Sequence, residues 1–258
     1  MTEAAIIPLI RPSNRDEDWR YADAAFLAEA DVTQLSDWRV LDVPAGETGQ
    51  EVRIVLPGDS AGGAVDRLRV HVGKDGRFEM FATNAGAFYS RIEVEVTLAE
   101  GAHFEFGGVT IGGGDNVQEF VTRTIHAAPG ATSNQTVRAV QWGRSTGNFL
   151  GRIEVARDAQ QTDAAQNFRA ILLEKGATAN TKPELEIFAD DVKCAHGAAI
   201  GALDETAGFY MAARGLPPEI ARKLLVRAFV ADAFMGLADE AIREAMLDQA
   251  LSVLGDAV

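Results

Sequence analysis

The sequence predicts a mainly β protein built as a solenoid, with short helical segments at its two ends. Three observations predict it. From about Val40 to Ile200, runs of β-branched or alternating residues such as EVRIVL, RLRVHV, RFEMFA, RIEVEVTL, HFEFGGVTI, EFVTRTIHA, NQTVRAVQW and RIEVA follow one another, punctuated by Gly. No helical period interrupts them, which excludes an alternating βαβ body. Glycines near the expected turns (Gly76, Gly101, Gly130, Gly151, Gly176 and Gly197) fall 21 to 29 residues apart, and such a period fits one coil per repeat. Periodicity alone leaves a β-sandwich open as the alternative.

The chain divides into an N-terminal segment, 1–39, a β body, 40–201, and a helical C-terminal segment, 202–258. In the first, RPSNRDEDWRYADAAFLAEAD (residues 11–31) reads as one short amphipathic helix. Ser13 or Asn14 can cap it, Asp16 to Asp18 suit its first turn, and Trp19, Ala22, Phe26 and Ala30 recur at helical spacing. Trp19 and Tyr21 read as anchors on the body behind them.

Within the body, His71, His103 and His126 are isolated in strand patterns and read as structural or surface groups. GGGDN, at 112–116, lacks the strand-before, helix-after setting and the Lys-Ser/Thr of a phosphate loop, so it reads as a turn. Thr162, Gln166 and Asn167 are the polar members of the segment AQQTDAAQNFRAILLEKGA and read as solvent-facing rungs or stacked side-chain ladders.

The stretch Lys182 to Gly201, KPELEIFADDVKCAHGAAIG, holds the only cysteine and one of four histidines. Pro183 reads as the start of a strand, where no ladder donor is lost. Leu185, Ile187 and Ala189 then share one face while Glu184, Glu186 and Phe188 share the other. Asp190 and Asp191 interrupt the pattern, after which Val192, Cys194 and His196 fall at period two. Thiol and imidazole thus project from the same side. Two positions along a strand lie about 6.5–7 Å apart, too far to share one tetrahedral ion without strong convergence. A multi-iron cluster, or a site completed by another chain, suits the spacing better, and both ligand types are ones that iron-sulfur clusters and zinc accept. A lone Cys beside a small residue reads equally well as an inert buried hydrophobe.

After Gly201 the period becomes helical. Asp204 can cap LDETAGFYMAARG and Gly215 can stop it. Pro217 and Pro218 open a second helix in which Ile220, Leu224, Ala228 and Phe229 share a face, and ADEAIREAMLDQALSVLG forms a third with Ile242, Met246 and Leu251 or Leu254 inward.

The words KPELEI, ADDVKCAHG, LDE and RGLP, in this order and without gaps from Lys182 to Pro217, resemble the C-terminal signature of the SufB/SufD family, the scaffold proteins of SUF iron-sulfur cluster assembly. EDWRYAD near the N-terminus is similar to the family's E-x-W-[KR]-Y element. The resemblance implies a right-handed parallel β-helix, no catalysis by the chain itself, and membership of a SufBCD complex. It implies pairing with a SufB-like paralogue and contact with a SufC-like ABC ATPase through the C-terminal helices, with Arg214, Leu216 and Phe229 as contributors. It also implies that Cys194 and His196 are ligands of a transient iron-sulfur cluster shared with the paralogue, and that a reduced flavin can bind the complex. The single cysteine, with no N-terminal cysteine-rich motif, is closer to the SufD branch than to SufB.

A net charge of −14 and a pI near 4.7 argue against nucleic acid or an anionic membrane as partner. The run MTEAAIIPLI is too small for a signal peptide, and no segment approaches the ~18 apolar residues of a membrane span. One cysteine makes no internal disulfide, so a reducing cytoplasm is the expected compartment. Two other readings remain from composition and pattern: a β-helix enzyme acting on polysaccharide, which acidity and the missing leader disfavour, and a self-associating structural solenoid or homodimer.

Overall fold

Side chains alternate between the lumen and the outer faces along the twelve strands of the described residues, and each turn between them sends the chain to the opposite sheet. The computed structural model describes residues 10–58 and 63–255. Its strands are β1 (Arg39–Val43), β2 (Thr48–Val55), β3 (Ala64–Val72), β4 (Arg77–Asn84), β5 (Tyr89–Leu98), β6 (His103–Gly112), β7 (Val117–His126), β8 (Thr132–Gln141), β9 (Thr146–Val155), β10 (Asp163–Leu172), β11 (Thr178–Ile187) and β12 (Lys193–Gly201). Odd strands form one sheet in the order β1-β3-β5-β7-β9-β11, and even strands form the other, β12-β10-β8-β6-β4-β2. Every pairing is parallel and skips one strand. This is a parallel β-solenoid of two facing sheets, and the antiparallel sandwich is excluded.

The coil is longer than the glycine spacing suggested. Register advances by 26 residues from Arg77 to His103, then 29 to Thr132, 31 to Asp163 and 30 to Lys193. Gly151 and Gly197 lie inside β9 and β12, not at turns, so counting them as corners shortened the apparent period. Gly101 and Gly130 do occupy stacked corners, each with positive φ, where an L side chain would be strained.

Inward side chains fill the space between the sheets. Val70, Phe78, Val96, Phe104, Phe106, Phe120, Phe149 and Phe168 are buried together, with Phe78 and Phe104 stacked at 5.9 Å and Phe149 and Phe168 at 5.8 Å. Stacking like residues in successive coils turns one apolar position into a continuous core. A second core lies outside the even-strand sheet, where Phe81, Val109, Ile111 and Val140 meet Val226, Val230, Phe234, Met246 and Leu247 of the C-terminal segment. That segment consists of α3 (Glu205–Ala212), α4 (Pro218–Ala231) and α5 (Glu240–Ser252), its helices numbered after two short N-terminal ones described next. Gly107 lets it sit close, since a Cβ there would run into the Ala233 carbonyl. Asp204 caps α3, Gly215 follows it at φ +86°, and Met246 and Leu254 of the last segment are buried, all as the sequence predicts.

The N-terminal helix expected over residues 11–31 is instead three pieces: a 3-10 turn, Glu17–Trp19, then α1 (Ala24–Glu29) and α2 (Val32–Ser36). The breaks follow from Asp23 and Asp31, whose carboxylates cap new helices by accepting from the Phe26 and Thr33 amides. Asn14 ties the first turn down by donating to the carbonyls of Trp19 and Ala22. Trp19, Phe26 and Leu27 are buried against Tyr89 on the odd-strand sheet, as the anchoring role of Trp19 requires. Among the described residues no helix is long and apolar enough to cross a membrane.

Beneath this segment Arg91 is fully buried. It pairs with Glu93 at 2.8 Å and Glu119 at 2.6 Å, donates to the Asp18 carbonyl at 2.7 Å, and lies 3.9 Å from the Trp19 ring. Burial pushes the Glu119 carboxyl up from its ordinary pKa, against the pull of Arg91. Removing Arg91 leaves the buried Glu119 carboxyl without a cation, while Glu93 keeps Arg67. Arg91→Ala is expected to lose about 3–5 kcal/mol of stability, read as a lower urea midpoint; an unchanged midpoint contradicts the assignment.

Candidate functional site

Only the end strands of a solenoid have an unpaired edge, and the stretch singled out in the sequence supplies both strands at one end. Among the described residues β11 pairs only with β9, and β12 only with β10. The strand holding KPELEI begins at Thr178, so Pro183 sits in its middle and not at its start. An edge strand tolerates this because a missing N–H can face the open side. Leu185 packs inward with Ile153 and Ala164, while Glu184 faces outward to Arg152 and Lys182, the alternation expected.

Register fixes where the thiol and imidazole point. Cys194 lies over Ala164, His196 over Gln166, Ala198 over Phe168 and Ile200 over Ala170. All four β10 residues are buried between the sheets, so Cys194 and His196 face the lumen of the last coil. No further coil covers them among the described residues. His196 is exposed, whereas Cys194 is half-buried against the small cluster of Ile153, Val155, Ala159, Ala164 and Ala189. Burial pushes the Cys194 thiol above its ordinary pKa of 9.0, and the Asp163 carboxylate adds to the shift. A lone resting thiol here is protonated at neutral pH and is not a preformed nucleophile. Among the described residues no three His, Cys, Asp or Glu side chains gather to hold a metal ion. Two lumen-facing donors are fewer than a closed four-coordinate site takes.

Gln166 and Thr162 are buried, not solvent-facing as one reading of the sequence had them. Gln166 crosses the lumen beneath His196 and donates to the carbonyls of Gly151, at 3.2 Å, and Glu184, at 3.4 Å. Gly151 is what makes room for it. The signal was present in the sequence as a Gln at an apolar-face position of the Ala164, Phe168, Ala170 alternation. The other histidines are apart from this end: His71 is exposed on β3, His103 meets Thr132 at 2.7 Å, and His126 meets Ser133 at 3.0 Å. GGGDN forms a turn, with Asp115 paired to Arg144.

In the C-terminal segment, Arg214 stacks on Tyr210 at 3.5 Å and Leu216 is half-buried. Phe229 is packed against the second core and lies under Arg138 at 5.8 Å, so it anchors α4 to the sheet. The buried face of α4 is Ala221, Val226 and Val230. Ile220, Leu224 and Ala228, expected beside Phe229 on the covered face, are exposed. With Phe209, 75% exposed, and Tyr210, 59% exposed, Ile220 and Leu224 give α3 and α4 an uncovered apolar surface. Beside it a cleft of about 560 Å3 is lined by Leu172, Leu203, Phe209, Ala212, Pro218 and Leu225.

Residues 52–229 match the family model described as "SUF system FeS cluster assembly, SufBD core domain". The chain belongs to the SufBD family. This SufD-like chain is 34% identical over 195 residues to an iron-sulfur cluster assembly SufBD family protein of Synechocystis, covering 75% of the chain and 43% of that relative. It is 36% identical over 115 residues to the iron-sulfur cluster assembly protein SufD of Escherichia coli, covering 45% and 27%, and 26% identical over 209 residues to SufD of Bacillus subtilis, covering 75% and 48%. The matched part spans less than half the length of each of these SufBD proteins.

The raised Cys194 pKa has a direct readout. Alkylation by iodoacetamide at neutral pH is expected to be slower than that of a free thiol, with the rate still rising with pH beyond 9.0. A midpoint below that value contradicts the burial described here.

Proposed function

We propose that this chain is a non-catalytic scaffold subunit of the SUF iron-sulfur assembly machinery, working in the cytoplasm. Its open end receives a SufB-like paralogue and its C-terminal helices receive a SufC-like ABC ATPase. The observation that carries the reading is the incomplete site at the open seam: His196 exposed over the lumen, Cys194 beside it, and two strand edges without partners. Unpaired parallel edges invite β-augmentation by a chain of matching pitch. A related solenoid would complete the ladders and bring the thiolates that this chain lacks. The cluster is cargo, built at the seam, with His196 as one ligand and Cys194 as a neighbouring sulfur donor whose proton is lost when metal binds.

The uncovered apolar surface of Phe209, Tyr210, Ile220 and Leu224, with Arg214 and Leu216 nearby, supports the ATPase contact. Apolar and aromatic groups of this kind are what interface cores are made of. Movement of the ATPase on ATP binding would then be transmitted to the seam through α4, which the Arg138–Asp232 pair and the second core hold to the even-strand sheet. A polysaccharide-active reading draws less support. In the groove on the outer odd-strand face, Arg67, Arg69, Arg123 and Arg152 are paired with Glu93, Glu95, Glu154 and Glu184, leaving no excess positive charge there for an acidic chain.

His196→Ala is the deciding substitution. The variant is expected to melt like the parent and to co-purify with the SufB-like chain and the ATPase, yet to accumulate at least tenfold less iron and sulfide on the complex. Normal cluster yield in an intact complex would remove the site assignment, and loss of co-purification would mean that His196 serves docking instead.

A further inference from the structure

The two ends of the solenoid are not alike. At the open seam no Asp, Glu, Lys or Arg among the described residues of β11 and β12 faces the lumen: β11 presents Thr181, Pro183 and Leu185, and β12 presents Cys194, His196 and Ala198. At the other end four lumen-facing positions are charged, while Leu41, Val43 and Val55 on the same face pack against the apolar core. Arg39 lies in register over Leu68, Glu51 over Met80, Arg53 over Ala82, and Asp66 over Ile92, each partner being buried in the core. The side chains close on one another across the gap between the sheets. Arg39 of β1 meets Glu51 of β2 at 2.6 Å and Asp66 of β3 at 3.6 Å, while Arg53 of β2 meets Asp66 at 2.7 Å and Glu51 at 3.6 Å.

We infer that Arg39, Glu51, Arg53 and Asp66 form a charged lid that closes the first coil and makes this solenoid one-ended. A second solenoid stacking on this end would have to bury four charges that already satisfy one another, and the desolvation would find no new partners. Inward-pointing charge is one of the devices by which β proteins block growth at an edge. A short edge strand is another, and β1 has five residues where β11 has ten. A chain sealed at one end and open at the other forms a closed pair and never a filament. The lid acts whatever chain meets the open seam.

The test is the weight-average mass of the purified chain by sedimentation velocity across a range of concentrations. Replacing the lid by Arg39→Leu, Glu51→Val, Arg53→Val and Asp66→Val together is expected to raise the mass at least twofold over the parent at equal concentration, because a second end becomes adhesive. A charge-swapped lid, with Arg39→Glu, Glu51→Arg, Arg53→Glu and Asp66→Arg, is expected to keep the parent's mass. A folded apolar variant of unchanged mass would overturn the inference, as would association of the swapped variant. Unfolding of the apolar variant would overturn it too, since a lid that only blocks growth can be replaced by apolar groups without loss of fold.

Discussion

In a parallel solenoid each coil satisfies its neighbour's backbone donors and acceptors, so the molecule's unmet hydrogen-bonding capacity is gathered at its two ends. Everything distinctive about this chain follows from how those ends are treated. The interior coils carry aromatic and aliphatic residues inward, with polar groups such as Gln118, Thr124, His126 and Gln135 buried among them, and Arg–Glu pairs on the outer face of the odd-strand sheet. The first coil sets four mutually paired charges among its inward residues, and the last sets a thiol and an imidazole there. The last coil is thus at once the place where backbone edges lie open and the place where a thiol and an imidazole face a lumen that no described residue covers.

The rest of the architecture keeps that seam rigid. Gln166 bridges the two sheets one coil below His196, and the Ile153–Ala164 cluster holds the base of β12. On the outer face of the odd-strand sheet, Arg–Glu contacts link neighbouring strands at Arg67–Glu93, Arg123–Glu154 and Arg152–Glu184, and Lys182 beside Glu184 also holds Glu17 of the N-terminal segment. Such partly exposed pairs each add little stability, but they fix strand register because a slip would set like charges side by side. The C-terminal helices lie along the outer face of the even-strand sheet, whose last strand is β12.

Much of this was legible in the residues. β2 to β9 appear as alternating or β-branched runs and β11 and β12 as period-two patterns, the caps at Asp204 and Gly215 follow from side-chain chemistry, and the spacing of Cys194 and His196 determines that they share a face. Other features were not. Glycine spacing understates the coil length because glycine serves two purposes here, turning corners at Gly101 and Gly130 but admitting the Gln166 side chain at Gly151. The N-terminal helix divides because Asp23 and Asp31 compete for amides that a longer helix would have used. On α4 two adjacent apolar stripes fit a helical period equally well, and only the shape of the sheet beneath selects Ala221, Val226 and Val230 over Ile220 and Leu224. The lid of the first coil was hidden for a related reason: Arg39, Glu51, Arg53 and Asp66 look like ordinary surface charges until topology places them inward.

The central claim is that the edges of β11 and β12 are completed by a second, related solenoid. Amide hydrogen exchange of the chain alone and with a SufB-like partner measures this directly, because ladder formation protects alternate amides along an edge strand. The account predicts new protection within residues 178–187 and 193–201 on complex formation, with the first coil unchanged. Protection confined to other surfaces, with these two strands exchanging as fast as in the free chain, would contradict it.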